Sequence, residues 1–383
     1  MDKIKLLFLH RQLVCGGAEQ ALYDLICLLD KNVFDVSVLC LCEGGEWEQK
    51  FRDAGIRVES RWSCQRKSHN PIVKIDNWVK RRKIVKATKA GGKGLIEAGW
   101  GNTFDIVICY HVDNDEMEAC FCNDVKTIKY IHGDLNTNQL AKKYVVDRLK
   151  IINRFDKVIC VSANAKKSFE QVTGISENVK VHFNPLNSDN VKELAEQGEV
   201  LETSEPVIVA VGRLAPEKGF ERLIRIHKKI YDEGNHHKLV IVGDGPMREL
   251  LGNIINSIHC EESVALVGYT SNPYAYMKQS RFIVCSSYTE GLPVIAMEAL
   301  SLGVPVVSSV PSIAEIFGDE KCGIVTQDND DASLENAIRQ MLTDREFYES
   351  AKKGAERRSA FFEGKRMVRE IEEELIELVK NKN

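Results

Sequence analysis

Short apolar runs alternate with longer amphipathic segments along the whole chain. Such runs, bounded by turn-forming residues, read as strands covered on both faces, which need no polar alternation. In the first half they fall at Ile4–Leu9, Asp35–Leu41, Ile56–Glu59, Asp105–Cys109, Thr127–Ile131, Lys157–Val161 and Lys180–Phe183. In the second half they fall at Val207–Val211, Lys238–Val242, Val264–Leu266, Phe282–Cys285, Val304–Ser308 and Gly323–Val325. The intervening pattern predicts helices over Ala18–Leu29, Trp47–Ala54, Gln139–Asn153, Ala163–Val172, Phe220–Asp232, Met247–Ser257, Pro293–Ser301 and Ala332–Leu342. Strand and helix alternating in this way specify an α/β protein with parallel sheets. The stretch Asn187–Glu205 is polar and acidic, holds few strand formers and ends at Pro206. It reads as a linker between domains 1–187 and 188–358, with 188–205 as the link itself. A helix of alternating charge, Phe361–Lys380, closes the chain within 359–383. Two sheets joined in series leave a cleft where ligands commonly bind.

Composition changes this picture little. The 383 residues are 28% charged and 44% hydrophobic with a net charge of −4, ordinary for a globular protein and giving no general attraction to nucleic acid. No apolar window reaches the roughly 18 residues of a spanning helix. Met1–Leu9 is too short for a signal peptide's apolar core and lacks a small-residue cleavage site. It is expected to be the first strand, in a cytoplasmic protein. The 12 cysteines are scattered, several of them inside apolar runs (Cys40, Cys109, Cys160, Cys285), as buried thiols of a reducing compartment are. The pairs Cys40/Cys42 and Cys120/Cys122 lack the partners of a zinc site, so no metal and no cofactor is expected. One segment breaks the rhythm. Between Lys74 and Lys93 lie Lys80, Arg81, Arg82, Lys83, Lys86 and Lys89 against a single acid, Asp76, with Trp78, Val79, Ile84 and Val85 interspersed. A basic amphipathic stretch suits peripheral contact with an anionic membrane; a solvated helix face is the alternative.

The residues able to do chemistry cluster at strand exits. After Phe282–Cys285 come Ser286, Ser287, Tyr288, Thr289, Glu290, Gly291, Leu292 and Pro293. Proline suits a first helical position. Glu290 therefore stands on a loop at the carboxyl end of a strand, and Gly291, Leu292 and Pro293 lead into a helix start whose free N–H groups suit an anion. Glu298 lies two turns further on, about 12 Å away by helical rise. The two carboxyls of a retaining glycosidase stand about 5 Å apart, so these two acids are expected to grip different parts of one long ligand such as a nucleotide sugar. After the first strand, Gly16 and Gly17 precede Ala18 and Glu19. A glycine pair lets backbone approach a phosphate, but it is not the spaced G-x-G-x-x-G of dinucleotide binders, which argues against hydride transfer. Arg213 and Lys218 share the loop Gly212–Gly219. One offers a planar fork and the other a mobile point charge, and both can aim at a single diphosphate. Gly243 and Gly245 shape a sharp exit before Pro246, which is expected to open a helix. His132, just past Ile131, can donate to a sugar hydroxyl or stabilise developing charge; His111 is a competing candidate. Asp113-Asn114-Asp115 has a D-x-D form but reads as a loop, and Asp328-Asn329-Asp330-Asp331 as a turn and helix cap.

Glu290-x7-Glu298 in the setting EGLPVIAMEAL, the loop GRLAPEKG at 212–219 and the GGAE loop before a helix together resemble the family 4 retaining glycosyltransferases of the GT-B fold. The resemblance runs from the GGAE loop to the terminal helix and is strongest from Val207 to Ser309. It implies two Rossmann-like domains facing a central cleft, the first binding the acceptor and the second the nucleotide sugar, with the last helix returning to the first domain. It implies retaining transfer of a sugar from a nucleotide-sugar donor, a UDP-sugar being favoured, to a glycan or lipid-linked saccharide in surface polysaccharide biosynthesis. By the same resemblance Arg213 and Lys218 neutralise the departing diphosphate, Glu290 contacts the sugar hydroxyls and Glu298 the ribose. Gly16 and Gly17 approach the diphosphate and acceptor, Gly243 borders the base, His132 is the functional histidine, and Asn184-Pro185 matches an element near the domain junction. Preorganised charge rather than a metal would then stabilise the leaving group. Two other readings fit the same residues. A nucleotide-sugar epimerase would need no acceptor, and a sugar- or nucleotide-binding module would turn nothing over; Arg213 and Lys218 beside both acids favour transfer.

Overall fold

The computed structural model describes residues 2–14, 16–62, 104–112, 125–136, 138–198, 201–290 and 292–380, with a few single positions between 75 and 121. Gly291, Asp113-Asn114-Asp115 and all of Lys74–Lys93 except Ile75, Trp78, Val79 and Arg82 lie outside the described residues. The chain forms two compact units, residues 1–185 with 367–383, and residues 186–366.

The first unit is built on a parallel sheet of β1 (Ile4–His10), β2 (Phe34–Cys42), β3 (Arg57–Trp62), β4 (Ile106–His111), β5 (Lys126–Ile131), β6 (Lys157–Cys160) and β7 (Val179–Val181), in the order β3-β2-β1-β4-β5-β6-β7. Leu6 of β1 pairs with Val36 on one side and Ile106 on the other. Central strands covered on both faces are apolar throughout: Leu6, Leu7, Leu9, Val107 and Cys109 are wholly buried. The second unit repeats the plan with β8 (Val207–Val211), β9 (Lys238–Val242), β10 (Val264–Gly268), β11 (Phe282–Cys285), β12 (Val306–Ser308) and β13 (Gly323–Val325), ordered β10-β9-β8-β11-β12-β13. In each sheet the winding reverses beside the first strand, between β1 and β4 and between β8 and β11. That reversal opens a crevice outside the carboxyl ends of the strands, where ligands of doubly wound sheets sit.

Several elements differ from expectation, each for a local reason. The supposed linker begins as a helix, Ser188–Ala195, whose N-cap Asn187 accepts from the Asn190 amide at 3.3 Å. It buries Val191 and Ala195, and the Leu194 carbonyl accepts from Asn272 Nδ2 at 2.8 Å, so the segment packs within the second unit. Acidic composition concealed the apolar spacing of Val191, Leu194 and Ala195. The helix expected over Gln139–Asn153 is broken at Arg148, which takes φ −123° and ψ 19° between Gln139–Asp147 and Leu149–Ile152. Pro293 caps its helix at ψ 107° rather than entering it, and the helix runs Val294–Ser301. Pro246 lies in a turn, with the helix starting at Arg248. Helices at Tyr274–Gln279, Ile313–Phe317 and Arg345–Ser359 were not foreseen. The closing helix, Gly364–Lys380, belongs to the first unit from Met367 on. There Glu374 pairs with Lys157 of β6 and lies 3.9 Å from His182 Nε2, while Glu372 Oε1 accepts the Asp30 amide at 2.7 Å.

Candidate active site

At the switch point of the second sheet, the loops after β8 and β11 meet. Lys218 Nζ donates to Glu290 Oε1 in an ion pair, with the two side chains only 25% and 20% exposed. Ser287 Oγ donates to the same carboxylate oxygen at 2.8 Å. The loops are also stitched by their backbones: Ser286 Oγ donates to the Lys218 carbonyl at 2.9 Å and the Tyr288 amide to the Glu217 carbonyl at 2.8 Å. Arg213 stands outward at 66% exposure, its Nη2 2.6 Å from Glu217 Oε1. Gly219, at φ +64°, allows the approach. A Cβ there would lie 2.2 Å from the Ser286 carbonyl oxygen, so any side chain would push the lysine loop off the glutamate loop.

Glu298 occupies the buried face of helix Val294–Ser301, 7% exposed, and accepts from Tyr274 Oη at 3.0 Å. Leu292 is buried beneath the helix start that Pro293 caps. Gly243, at φ +144°, lies at the exit of β9; a Cβ on it would sit 2.0 Å from the Gly212 carbonyl oxygen. Its glycine identity is therefore required by packing against the arginine loop. Burial pushes the Cys285 thiol up to about 12, which leaves it a poor nucleophile despite its place at the end of β11.

At the switch point of the first sheet, imidazoles gather round one acid. Gly16 caps helix Gly17–Leu28 in an extended conformation, and a Cβ on it would come 2.6 Å from Glu19 Oε2. Glu19 is buried, with Oε1 3.7 Å from His10 Nε2 and 3.9 Å from His111 Nδ1. The three side chains bring ligand-type atoms within 4.8 Å of one another. A metal would need the His10 nitrogen facing it bare and the other one protonated. His10 Nδ1 accepts the Gln12 amide at 3.3 Å, which in a neutral ring places the proton on Nε2, toward Glu19. Glu19 thus faces ring nitrogens of both His10 and His111.

His132 has Nε2 2.6 Å from the Tyr110 carbonyl oxygen, to which it can only donate. Its ring lies 4.5 Å from Tyr110 and 5.6 Å from His111. One nitrogen of the expected functional histidine is thus engaged by the main chain, whereas the His111 side chain is 41% exposed. The second sheet's edge brings together Lys218 and Glu290; the first sheet's edge holds Gly16, Gly17, His132 and His111. Sequence reading passed over His10, the buried role of Glu19, Tyr274 and Arg222. A histidine ending the first strand, next to a glycine-led helix, was the available sign for His10.

Paired doubly wound units of this kind define the GT-B class of glycosyltransferase. HepE of Anabaena, solved in complex with UDP and with UDP-glucose, superposes with a TM-score of 0.76 over 98% of this chain and 100% of that one at 19% identity. A sucrose-phosphate synthase from Thermosynechococcus elongatus does so with a TM-score of 0.75 over 99% and 100% at 17% identity. In sequence, residues 15–190 match the model "Glycosyltransferase Family 4" and residues 191–358 the model "Glycosyl transferases group 1". The chain belongs to the family 4 glycosyltransferases. It is 26% identical over 375 residues, 93% of this chain and 94% of the relative, to the N-acetylgalactosamine-N,N'-diacetylbacillosaminyl-diphospho-undecaprenol 4-alpha-N-acetylgalactosaminyltransferase of Campylobacter jejuni. It is 27% identical to the amylovoran biosynthesis glycosyltransferase AmsD of Erwinia amylovora, over 82% of this chain and 84% of that one.

Proposed function

We propose that this glycosyltransferase moves a sugar from a nucleotide-sugar donor, with UDP the favoured base carrier, to a saccharide acceptor in the building of a surface polysaccharide. Transfer proceeds with retention and without a metal. The observation that carries the reading is the Lys218–Glu290 pair at the switch point between β8 and β11. Before donor binding, each cation of the loop is matched by a carboxylate, Lys218 by Glu290 and Arg213 by Glu217. A diphosphate arriving there exchanges one anion for another: it takes Lys218 and Arg213, and Glu290 turns to the sugar hydroxyls. As the bond from the anomeric carbon to the phosphate oxygen breaks, its electron pair goes to the diphosphate, where fixed cations lower the barrier. The acceptor hydroxyl attacks the same face, and its proton passes to the leaving phosphate oxygen. Glu298 holds the ribose. The C. jejuni relative's name specifies a diphospho-undecaprenol-linked acceptor, which supports a lipid-linked saccharide here.

A panel of UDP-, GDP- and ADP-sugars tests the reading by thermal shift, because a ligand that binds only the folded state stabilises it by about 2.7 kcal/mol at a hundred times its Kd. UDP-sugars are expected to raise the melting temperature, equally with and without EDTA. A shift from none of the donors would remove the donor assignment. Abolition by EDTA with rescue by Mn²⁺ would remove the metal-free mechanism.

For a lipid-linked acceptor the basic segment Lys74–Lys93 supplies the membrane contact. At its described positions Ile75, Trp78 and Val79 are exposed, and the Arg82 guanidinium lies 4.1 Å from the Trp78 ring. Among the described residues no helix is long and apolar enough to cross a membrane. Each basic residue near an anionic surface contributes about 1 kcal/mol, decaying within a Debye length. The protein is expected to sediment with anionic vesicles at low salt, and to be released by charge reversal at Arg81, Arg82 and Lys83. Equal sedimentation of wild type and variant would retire the contact.

A further inference from the structure

One buried charge at the donor edge has no part in the transfer just described. Arg222, on helix Phe220–Asp232, is 3% exposed. Its Nε and Nη2 donate to the Ser286 carbonyl at 2.9 and 2.6 Å, and Nη2 reaches the Ser287 carbonyl at 3.2 Å. The same nitrogen meets Ser309 Oγ at 2.8 Å and Asn329 Oδ1 at 2.7 Å. Asn329 Nδ2 donates onward to the Tyr288 carbonyl at 2.9 Å and the Ser287 carbonyl at 3.3 Å. Ser309 Oγ also donates to the Ser287 carbonyl, at 3.0 Å. The Tyr288 ring lies 4.1 Å from the guanidinium carbon. Three consecutive carbonyls leading to Glu290 are therefore held from below by Arg222, Ser309 and Asn329, which follow three different strands, β8, β12 and β13.

We propose that Arg222, acting with Asn329, is the positioning residue of the donor site: it fixes the loop 286–290 so that Glu290 and Lys218 stand in register for transfer. Only a planar fork can bind successive carbonyls and two side chains at once; an ammonium has the charge but not the plane. Arg222 touches neither donor nor acceptor in this scheme. It acts through Glu290, and a displacement of about 1 Å at a reacting group costs about a hundredfold in rate. The inference rests on the glycosyl-transfer reading.

Arg222→Lys and Asn329→Ala test it, the second being the milder change should the first fail to fold. Amide hydrogen exchange of the ligand-free protein is measured together with transfer kinetics and UDP affinity by calorimetry. Exchange across 287–290 is expected to quicken about tenfold in Arg222→Lys and by less in Asn329→Ala, with β8 and β9 unchanged. kcat is expected to fall about ten- to a hundredfold, while the donor KM and the UDP affinity stay within about threefold because the ribose grip of Glu298 is untouched. Unchanged exchange in both variants overturns the clamp. Loss of protection throughout the second unit, with UDP affinity falling as far as kcat, overturns positioning in favour of general support. A wild-type protein that transfers no sugar would sink the transfer reading and the donor-site role with it, while the exchange data would still report whether the clamp holds the loop.

Discussion

Lys218→Ala is expected to lower turnover by about two orders of magnitude or more, the usual cost of losing one preorganised contact to a leaving group. Arg213→Ala is expected to cost a similar factor despite its exposure, because its fork becomes useful only when a diphosphate draws it in. The lysine variant carries a second penalty. Glu290 would lose its cation and keep only Ser287 Oγ among the side-chain contacts described above, so an incoming diphosphate would meet an uncompensated carboxylate. The double variant Lys218→Ala/Glu290→Gln should therefore fall short of the sum of the single losses, as contacting residues do. Glu290→Gln alone should depress transfer and spare UDP binding; Glu298→Ala should weaken UDP binding itself. Steady-state kinetics and calorimetry with bare UDP check all of these. Near-normal turnover in both purified cation variants would remove Arg213 and Lys218 from the mechanism, and affinity lost with Glu290 but kept without Glu298 would invert the two acids' roles.

Acid is expected to unfold the second unit through two histidines far from this chemistry. His237 Nδ1 lies 2.7 Å from the Asn235 carbonyl and must donate to it. Its Nε2 then accepts from His227 Nδ1 at 2.8 Å, and His227 Nε2 accepts from Ser263 Oγ at 2.9 Å. The bond between the rings closes only if His237 is neutral, and a neutral His227 takes the Ser263 hydroxyl proton that is otherwise offered to the Cys260 carbonyl at 3.3 Å. Burial, and then His237, hold His227 down at about 3, with Lys238 and Lys228 adding to the effect. Burial also lowers His237, against the pull of the Asn235 carbonyl and Glu205. Both groups thus bind protons more weakly folded than unfolded. Their contribution is complete above the unfolded value near 6.5 and is lost as pH falls toward the folded one. Each pH unit between a group's unfolded and folded values is worth at most about 1.4 kcal/mol, and the window is wide for His227. Urea midpoints should fall steadily between pH 7 and 4, and less steeply in His227→Gln. Parallel pH profiles for the two proteins would mean that the pair takes up protons inside the fold without cost.

Much of this molecule was readable before its coordinates. Strands such as Val207–Val211 and Phe282–Cys285 are apolar on both faces, and that leaves few alternatives. The loops after β8 and β11 announced themselves by glycine, proline and charge in unusual density. What was hidden depends on distance in the fold. Nothing in the segment 188–195 signals that Asn272 will hold the Leu194 carbonyl. Arg222 reads as one more basic residue on a helix until three strand exits converge on it. The expectation for His132 rested on its place after a strand together with the family resemblance, and only the fold shows the Tyr110 carbonyl beside its ring. Proline was read one step too literally, since Pro293 and Pro246 precede their helices rather than opening them.

The first unit is discontinuous in sequence: its last helix arrives only after residues 186–366 have been made. Val368, Ile371, Leu375 and Leu378 bury against a unit whose strands were complete some two hundred residues earlier. A nascent chain made at about 5–20 residues per second must therefore keep the first unit without this helix for about ten seconds or more, with Lys157 and His182 still awaiting Glu374. The second unit, contiguous and finished earlier than its neighbour's last piece, can fold while the first is still waiting. The first unit therefore stays incomplete until residues 367–380 emerge, after the whole of the second unit has been made.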